Sequence, residues 1–142
     1  MNNYVLDASA LLRYTDNQAG AGRVEALLLK AAKGQVSLFM SAVNWGEIVT
    51  VIMRRHGPAK ARSILAALRS LSVHFVDADV QACEAAGAFR YDYSLPYADS
   101  FAASTLLQMR SEGHDGILVT ADLKDFGKLP KNLLKIEFLP EK

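Results

Sequence analysis

Four acidic residues occupy positions that are typical of a metal-binding pocket, and two of them follow predicted strands. Asp7 comes directly after the apolar run Tyr4-Val5-Leu6, and Asp122 follows the apolar segment at 116–121. In open α/β sheets, ligands bind in the crevice at the carboxyl ends of parallel strands. We therefore expect these two carboxylates to lie in one crevice.

The other two acids lie on predicted helices, at positions that should be partly buried. Glu47 shares a helical row with Val43 and Val51, and Asp99 shares one with the small and apolar residues between positions 96 and 106. Both side chains are therefore predicted to face partly inward. A buried carboxylate without a partner is costly or becomes protonated, so we expect each to have a partner.

A hard divalent cation would be a suitable partner, because Mg²⁺ and Mn²⁺ prefer oxygen ligands and can be held by a few carboxylates. The three histidines, His56, His74 and His114, are far apart in sequence and lack the spacing of a zinc site. A Mg²⁺ or Mn²⁺ ion in a four-carboxylate pocket is suited to attack of metal-activated water on a phosphodiester. The predicted enzyme class is therefore a nuclease.

Each acid also has an ordinary structural role open to it. Asp7 and Asp122 could each cap the helix that follows, and Asp99 could complement the dipole of its own helix. Glu47 could pair with an arginine, for which Arg13 and Arg54 are candidates. No acid is specific alone, but all four fall on strand ends or inward helical rows, which favours a shared pocket.

Smaller polar residues extend the pattern. Ser9, Asn44 and Thr120 lie two or three residues from an acid and could orient carboxylates or metal-bound water. Helix capping and turn hydrogen bonds are equally open to them. Asp125 lies three residues beyond Asp122 and could be a fifth acid or could replace Asp122. The sequence leaves both possibilities open.

The composition sets the class of protein. A chain of 142 residues that is 51% hydrophobic and 22% charged suits one globular domain, which we place at residues 1–142. The net charge of +1 provides no global attraction to nucleic acid, so RNA binding would depend on local patches. Cys83 is the only cysteine, which excludes an internal disulfide. With no apolar run long enough to cross a bilayer, we expect a cytoplasmic protein.

Strands and helices are predicted to alternate along the chain. The strands are expected at residues 3–7, 36–40, 73–76, 117–120 and 134–138, and the helices at 22–33, 41–55, 59–71, 79–91 and 96–111. Gly57-Pro58 is expected to separate the second helix from the third. This order predicts an α/β fold with a mainly parallel central sheet covered on both faces.

Four segments, taken together and in this order, resemble the PIN-domain ribonucleases and most closely the VapC toxins of bacterial toxin–antitoxin pairs. They are VLDASAL at 5–11, SAVNWGE at 41–47, LPYADSFAA at 95–103 and LVTADLKDF at 118–126. The resemblance extends over nearly the whole chain, and it depends on the four motifs in sequence because each alone is weak.

The resemblance implies an α/β/α sandwich of three layers, an acidic pocket that binds Mg²⁺ or Mn²⁺, and endonucleolytic cleavage of RNA. It assigns the catalytic and metal-binding positions to four acids, namely Asp7, Glu47, Asp99 and Asp122. It also implies a homodimer and a cognate antitoxin that places a peptide, often with an arginine, across the pocket. The family often spaces its last acids more closely than Asp122 and Asp125, so either could be the fourth ligand.

Other function classes fit the sequence less well. A phosphoacceptor receiver module would be expected to have adjacent acids after its first strand, where this chain has only Asp7. A haloacid-dehalogenase-like phosphatase would need a second acid at position 9, which is Ser9. Two alternatives within the fold stay open, a PIN nuclease that is not a toxin and a catalytically silent binding module that keeps the acidic pocket.

Overall fold

The computed structural model describes residues 2–141, which form five strands and six helices. Among these residues, no helix combines the length and the apolar character needed to span a membrane. The strands are β1 (Asn2–Leu6), β2 (Val36–Ser41), β3 (His74–Val76), β4 (Gly116–Thr120) and β5 (Ile136–Phe138). The helices are α1 (Ala8–Thr15), α2 (Ala21–Ala32), α3 (Ala42–Arg69), α4 (Val80–Tyr93), α5 (Tyr97–Ser111) and α6 (Leu123–Phe126).

The strands form one parallel sheet in the order β3-β2-β1-β4-β5. Val5 of the central strand pairs with Phe39 of β2 on one side and with Leu118 of β4 on the other. The chain leaves β1 toward β2 and later returns to the opposite side as β4. Because the connections diverge at this point, a crevice is expected at the carboxyl ends of β1 and β4.

Helices cover both faces of the sheet, and the alternation of side chains along β1 creates two cores. Tyr4 and Leu6 belong to one core, with apolar residues of α1, α2 and α3. Val5 points to the other face and belongs to the core built with α4, α5 and α6. A strand buried on both faces needs a continuous apolar sequence, which is why the run before Asp7 was recognisable. The predicted α/β fold and its three layers are confirmed.

Two features of the helices differ in detail from the sequence prediction. The short helix α1 was absent from the predicted order of elements, although Asp7 was considered as a cap for a helix at Ala8. Helix α3 is formally continuous, but Gly57 inside it has φ 77° and ψ 158°, which is not a helical conformation. The predicted break at Gly57-Pro58 is therefore present as an interruption within one long element.

Candidate active site

One cleft at the carboxyl ends of β1 and β4 brings the four predicted acids together. It has a volume of about 240 Å³ and is lined by Asp7, Glu47, Asp99 and Asp122, with Ala8, Ser9, Leu12 and Val51. Each acid comes from a different part of the fold: the end of β1, the first half of α3, the first turn of α5, and the segment after β4. The topology of the sheet thus assembles a site from residues that are distant in sequence.

Asp7 is a buried carboxylate whose two oxygens are both hydrogen-bonded. Only 3% of the surface of Asp7 is exposed to solvent. Oδ1 accepts hydrogen bonds from Ser9 Oγ at 2.7 Å and from the backbone N–H of Ala10 at 3.0 Å, and Oδ2 accepts one from Thr120 Oγ1. The bond from Ala10 makes Asp7 the N-cap of α1. Capping and a place in the cleft are therefore compatible.

Ser9 and Thr120 connect the end of β1 to the segment that follows β4. Ser9 Oγ accepts a hydrogen bond from the backbone N–H of Ala121 at 2.9 Å, and Thr120 Oγ1 accepts one from the N–H of Asp122 at 2.9 Å. Because both hydroxyls also donate to Asp7, each fixes the position of that carboxylate relative to Asp122.

Burial makes ionisation of Asp7 unfavourable. Loss of hydration raises the pKa of Asp7 from 3.8 to about 6, even though the hydrogen bonds from Thr120, Ser9 and Ala10 lower it. The negative charge of Asp122 raises the pKa of Asp7 further. A positive charge close to Asp7 would therefore stabilise its ionised form.

Asp99 is the acid whose environment is most unfavourable to its charge. Burial is the largest cause that raises the pKa of Asp99 to about 8, and a hydrogen bond shared with Asp122 adds to it. The negative charges of Asp122, Asp7 and Asp125 act in the same direction. Its Oδ2 atom is buried and has no hydrogen-bond partner within residues 2–141. Such an atom is normally paired, so a ligand of opposite charge is expected here.

Asp99, Asp122 and Asp125 form the tightest acidic group in the described part of the chain. One carboxylate oxygen from each residue lies within 4.8 Å of the others. Asp122 also caps α6, because its Oδ1 accepts a hydrogen bond from the N–H of Asp125 at 3.0 Å. All three residues are partly exposed, so water can reach them. Oxygen donors, net negative charge and access to water are what Mg²⁺ and Mn²⁺ need, and the residues therefore fit such an ion.

Glu47 lies at the rim of the cleft and not partly inside it as predicted. Its side chain is exposed, whereas the buried row of this part of α3 consists of Asn44, Ile48 and Ile52. Asn44 Nδ2 donates to Glu47 Oε1 at 3.0 Å and to the backbone carbonyl of Ala98 at 3.1 Å. Asn44 thereby holds Glu47 against α5, next to Asp99.

Arginine pairs do not account for the acids of the cleft. In residues 2–141, the ion pairs are Arg23 with Glu137 and Arg55 with Asp16. Arg13, considered as a partner of Glu47, instead donates to the backbone carbonyls of Ala19 and Pro140.

Comparison with known proteins agrees with the fold described above. The family model of the PIN domain matches residues 4–132. No curated protein matches the chain.

Three solved structures similar to this chain are all under 20% identical to it. VapBC2 from Rickettsia felis bound to a DNA fragment from its promoter has a TM-score of 0.71 and 17% identity, and the match covers 97% of this chain and 99% of that one. DNA-bound VapBC from Salmonella typhimurium has a TM-score of 0.69 and 18% identity, covering 97% and 98%. VapC20 from Mycobacterium tuberculosis, described as a toxin that cleaves the sarcin-ricin loop, has a TM-score of 0.64 and 19% identity, covering 87% and 93%.

Proposed function

This chain belongs to the PIN-domain family, and from that membership we propose that it is a metal-dependent endoribonuclease that hydrolyses RNA phosphodiester bonds. The observation that carries the proposal is the buried Oδ2 of Asp99, which has no partner in the described residues and lies in a cleft with three other acids. Without a cation, these acids can relieve their mutual repulsion only by taking up protons. We also propose that residues 1–142 form a single nuclease domain.

In this proposal, Asp7, Asp99 and Asp122 hold Mg²⁺ or Mn²⁺, and Glu47 acts from the rim. When bound, such an ion lowers the pKa of water and neutralises charge on a phosphate. The carboxylate of Asp7 is oriented by hydroxyl donors, and Asp122 is fixed by its capping bond. Glu47 is exposed and held by Asn44, so it can meet water or RNA that enters the cleft.

Asp125 has a carboxylate oxygen close to those of Asp99 and Asp122, which supports a role for both of the last acids. We propose Asp122 as the ligand and Asp125 as an auxiliary acid, because Asp122 lines the cleft directly. An Asp125→Asn variant should then keep part of its activity, whereas Asp122→Asn should lose nearly all of it. Equal loss in both would make Asp125 a ligand as well.

The biological setting we propose is that of a cytoplasmic toxin, silenced by a cognate antitoxin and acting as a homodimer. Similar structures described as VapBC complexes support an antitoxin partner. An antitoxin with an arginine that enters the cleft would supply the missing positive charge. Co-expression with a small neighbouring reading frame should then suppress RNA cleavage, and the two proteins should copurify.

The test is cleavage of end-labelled single-stranded RNA by purified protein with Mg²⁺, Mn²⁺ or EDTA. We expect cleavage with either ion and none in EDTA, and we expect Asp99→Asn to abolish cleavage with an unchanged circular dichroism spectrum. Glu84→Gln, which changes an exposed acid on α4, is the matched control and should cleave normally. Full activity of Asp99→Asn would contradict the assignment. RNA binding without cleavage under every condition would instead favour a silent binding module.

A further inference from the structure

We infer that Tyr91, Tyr97 and Arg90 form a platform on which unpaired RNA bases stack beside the acidic cleft. The inference rests on the proposed ribonuclease function and adds the residues that would contact the RNA strand outside the acidic cleft. The observation behind it is an unusual concentration of exposed aromatic surface. Tyr91 is 87% exposed and Tyr97 is 43% exposed, and both lie close in sequence to Asp99.

The rings near this surface are held by buried neighbours. Tyr97 contacts Phe101 edge to face, with ring centroids 5.1 Å apart, and Tyr93 contacts Phe89 at 4.8 Å. Both phenylalanines are buried. A ring fixed on one side and open on the other loses little conformational freedom when a base stacks on it. The ring of Tyr97 is therefore prepared for stacking in a way that a mobile side chain is not.

The turn between α4 and α5 sets the location of the platform. Ser94 adopts the left-handed conformation with φ 53°, and Leu95 is buried, so the chain reverses tightly before α5 begins at Tyr97. A groove of about 720 Å³ follows this turn, lined by Gly87, Arg90, Tyr91, Ser94, Leu95 and Pro96. Asp99 lies two residues after Tyr97 in the first turn of the same helix. Tyr97 and Asp99 are therefore close along the axis of α5, which places a strand of RNA on the platform near the cleft.

Charge favours RNA as the occupant of this groove. The guanidinium carbon of Arg90 lies 5.9 Å from the centre of the Tyr97 ring, so a cation and an aromatic face are presented together. Proteins that bind single strands combine these two elements, because phosphates need a positive charge and every base has a face that can stack. The acids of the cleft repel phosphate, so a contact at the edge of the site has to supply attraction.

The test measures the affinity for RNA in a background that leaves the RNA intact. Asp99→Asn protein, with and without a second change, is titrated with fluorescein-labelled single-stranded RNA of mixed sequence, and binding is followed by anisotropy. We expect Tyr97→Ala and Tyr91→Ala each to weaken binding roughly tenfold, because each substitution removes a ring on which one base stacks. Tyr97→Phe keeps the ring and should bind as the parent does. Duplex RNA should be unaffected by these substitutions.

Matched controls come from the opposite side of the sheet. Tyr14 is an aromatic residue packed against the core on the α1 and α2 side, and Arg62 is an exposed arginine on α3. Tyr14→Ala and Arg62→Ala should not change the affinity, whereas Arg90→Ala should reduce it. Thermal unfolding of each variant identifies any that fail to fold.

Two results would overturn the platform while leaving the proposed function intact. In the first, wild-type protein cleaves RNA but the tyrosine variants bind single strands as tightly as the parent does. In the second, light scattering shows that Tyr91→Ala converts a dimer into a monomer without loss of RNA affinity, which would make the surface an interface between copies. If the wild-type protein neither binds nor cleaves RNA with Mg²⁺, the proposed function fails and the platform fails with it.

Discussion

Replacing Asp7 by asparagine is expected to stabilise the metal-free protein at neutral pH while it abolishes RNA cleavage. Asp7 is buried among hydrogen-bond donors, and its charge is tolerated poorly because hydration is lost. Asparagine removes the charge, keeps an oxygen for the N–H of Ala10, and is itself a favoured N-cap residue. A residue needed for activity would then be a residue that weakens the fold.

The magnitude follows from the raised pKa. The pKa of Asp7 is about 6 in the folded state against 3.8 as the ordinary value, a difference of roughly 2 units, or about 3 kcal/mol at 1.36 kcal/mol per unit. The sign follows from linkage, since a raised folded pKa means that stability is lost as pH rises from about 4 to above 6. Below about pH 4, Asp7 is protonated in both states and the difference vanishes. The 3 kcal/mol is an upper value, because the hydroxyl of Thr120 must turn to accept from the new amide.

The assay is thermal unfolding in EDTA at about pH 4 and about pH 8. At the higher pH, Asp7→Asn should unfold up to roughly 10 °C above the wild type, and at the lower pH the two should coincide. Glu84→Gln should follow the wild type at both values. Added Mg²⁺ should raise the unfolding temperature of the wild type and of Glu84→Gln, but not that of Asp7→Asn. If Asp7→Asn is no more stable than the wild type at about pH 8, the reasoning that the buried charge of Asp7 destabilises the metal-free fold is refuted.

Further predictions follow from other contacts. Thr120→Val should lower stability by about 1–3 kcal/mol in urea unfolding and weaken Mg²⁺ binding roughly 10–100-fold in calorimetry, because Asp7 loses a donor and the Asp122 N–H loses its acceptor. Affinity for Mg²⁺ should rise with pH through the range from about 6 to about 8, with protons released on binding, because the ion displaces protons from Asp7 and Asp99; a flat pH profile would contradict this. Gly57→Ala should cost about 1–3 kcal/mol in urea unfolding without changing the cleavage rate, because its backbone conformation is open almost only to glycine.

The three central strands could be predicted closely from sequence because they are largely buried between the two layers of helices. Asn2–Leu6, Val36–Ser41 and Gly116–Thr120 contain the apolar runs at 4–6, 38–40 and 117–119, each followed by a polar residue, and the predicted bounds differ from the observed ones by only one residue. Helix α1 was harder to recognise, because eight residues give barely two turns of periodicity and its strongest signal is the capping residue Asp7.

The candidate site shows where helical periodicity is insufficient. The row that contains Val43, Glu47 and Val51 was predicted to face inward, but those residues lie at the edge of the buried row defined by Asn44 and Ile48. A rotation of 100° per residue cannot distinguish a core position from a rim position without the neighbouring helix. Glu47 thus reaches the cleft from outside, and its partner Asn44 is the residue that is buried.

The shared crevice of Asp7 and Asp122 could be predicted because strand ends converge in a parallel sheet, whereas the aromatic platform was not predicted. Tyr91 and Tyr97 lie on different helices, and the turn at Ser94 brings their helices together. Sequence alone gives no indication that either ring is exposed, because tyrosine has an intermediate tendency to be buried.

The interruption at Gly57 changes what α3 can cover. Ile52 and Ala61, on either side of it, are both buried in the same core. In an unbroken helix these two residues, nine positions apart at 100° each, would point in opposite directions. Because the backbone at Gly57 is not helical, the part of α3 before it and the part after it are rotated relative to each other. Each part can therefore turn its own apolar side toward the core. A one-residue insertion next to Gly57 should therefore be absorbed there, whereas the same insertion beside Ile48 would rotate the acid-bearing face away from α5.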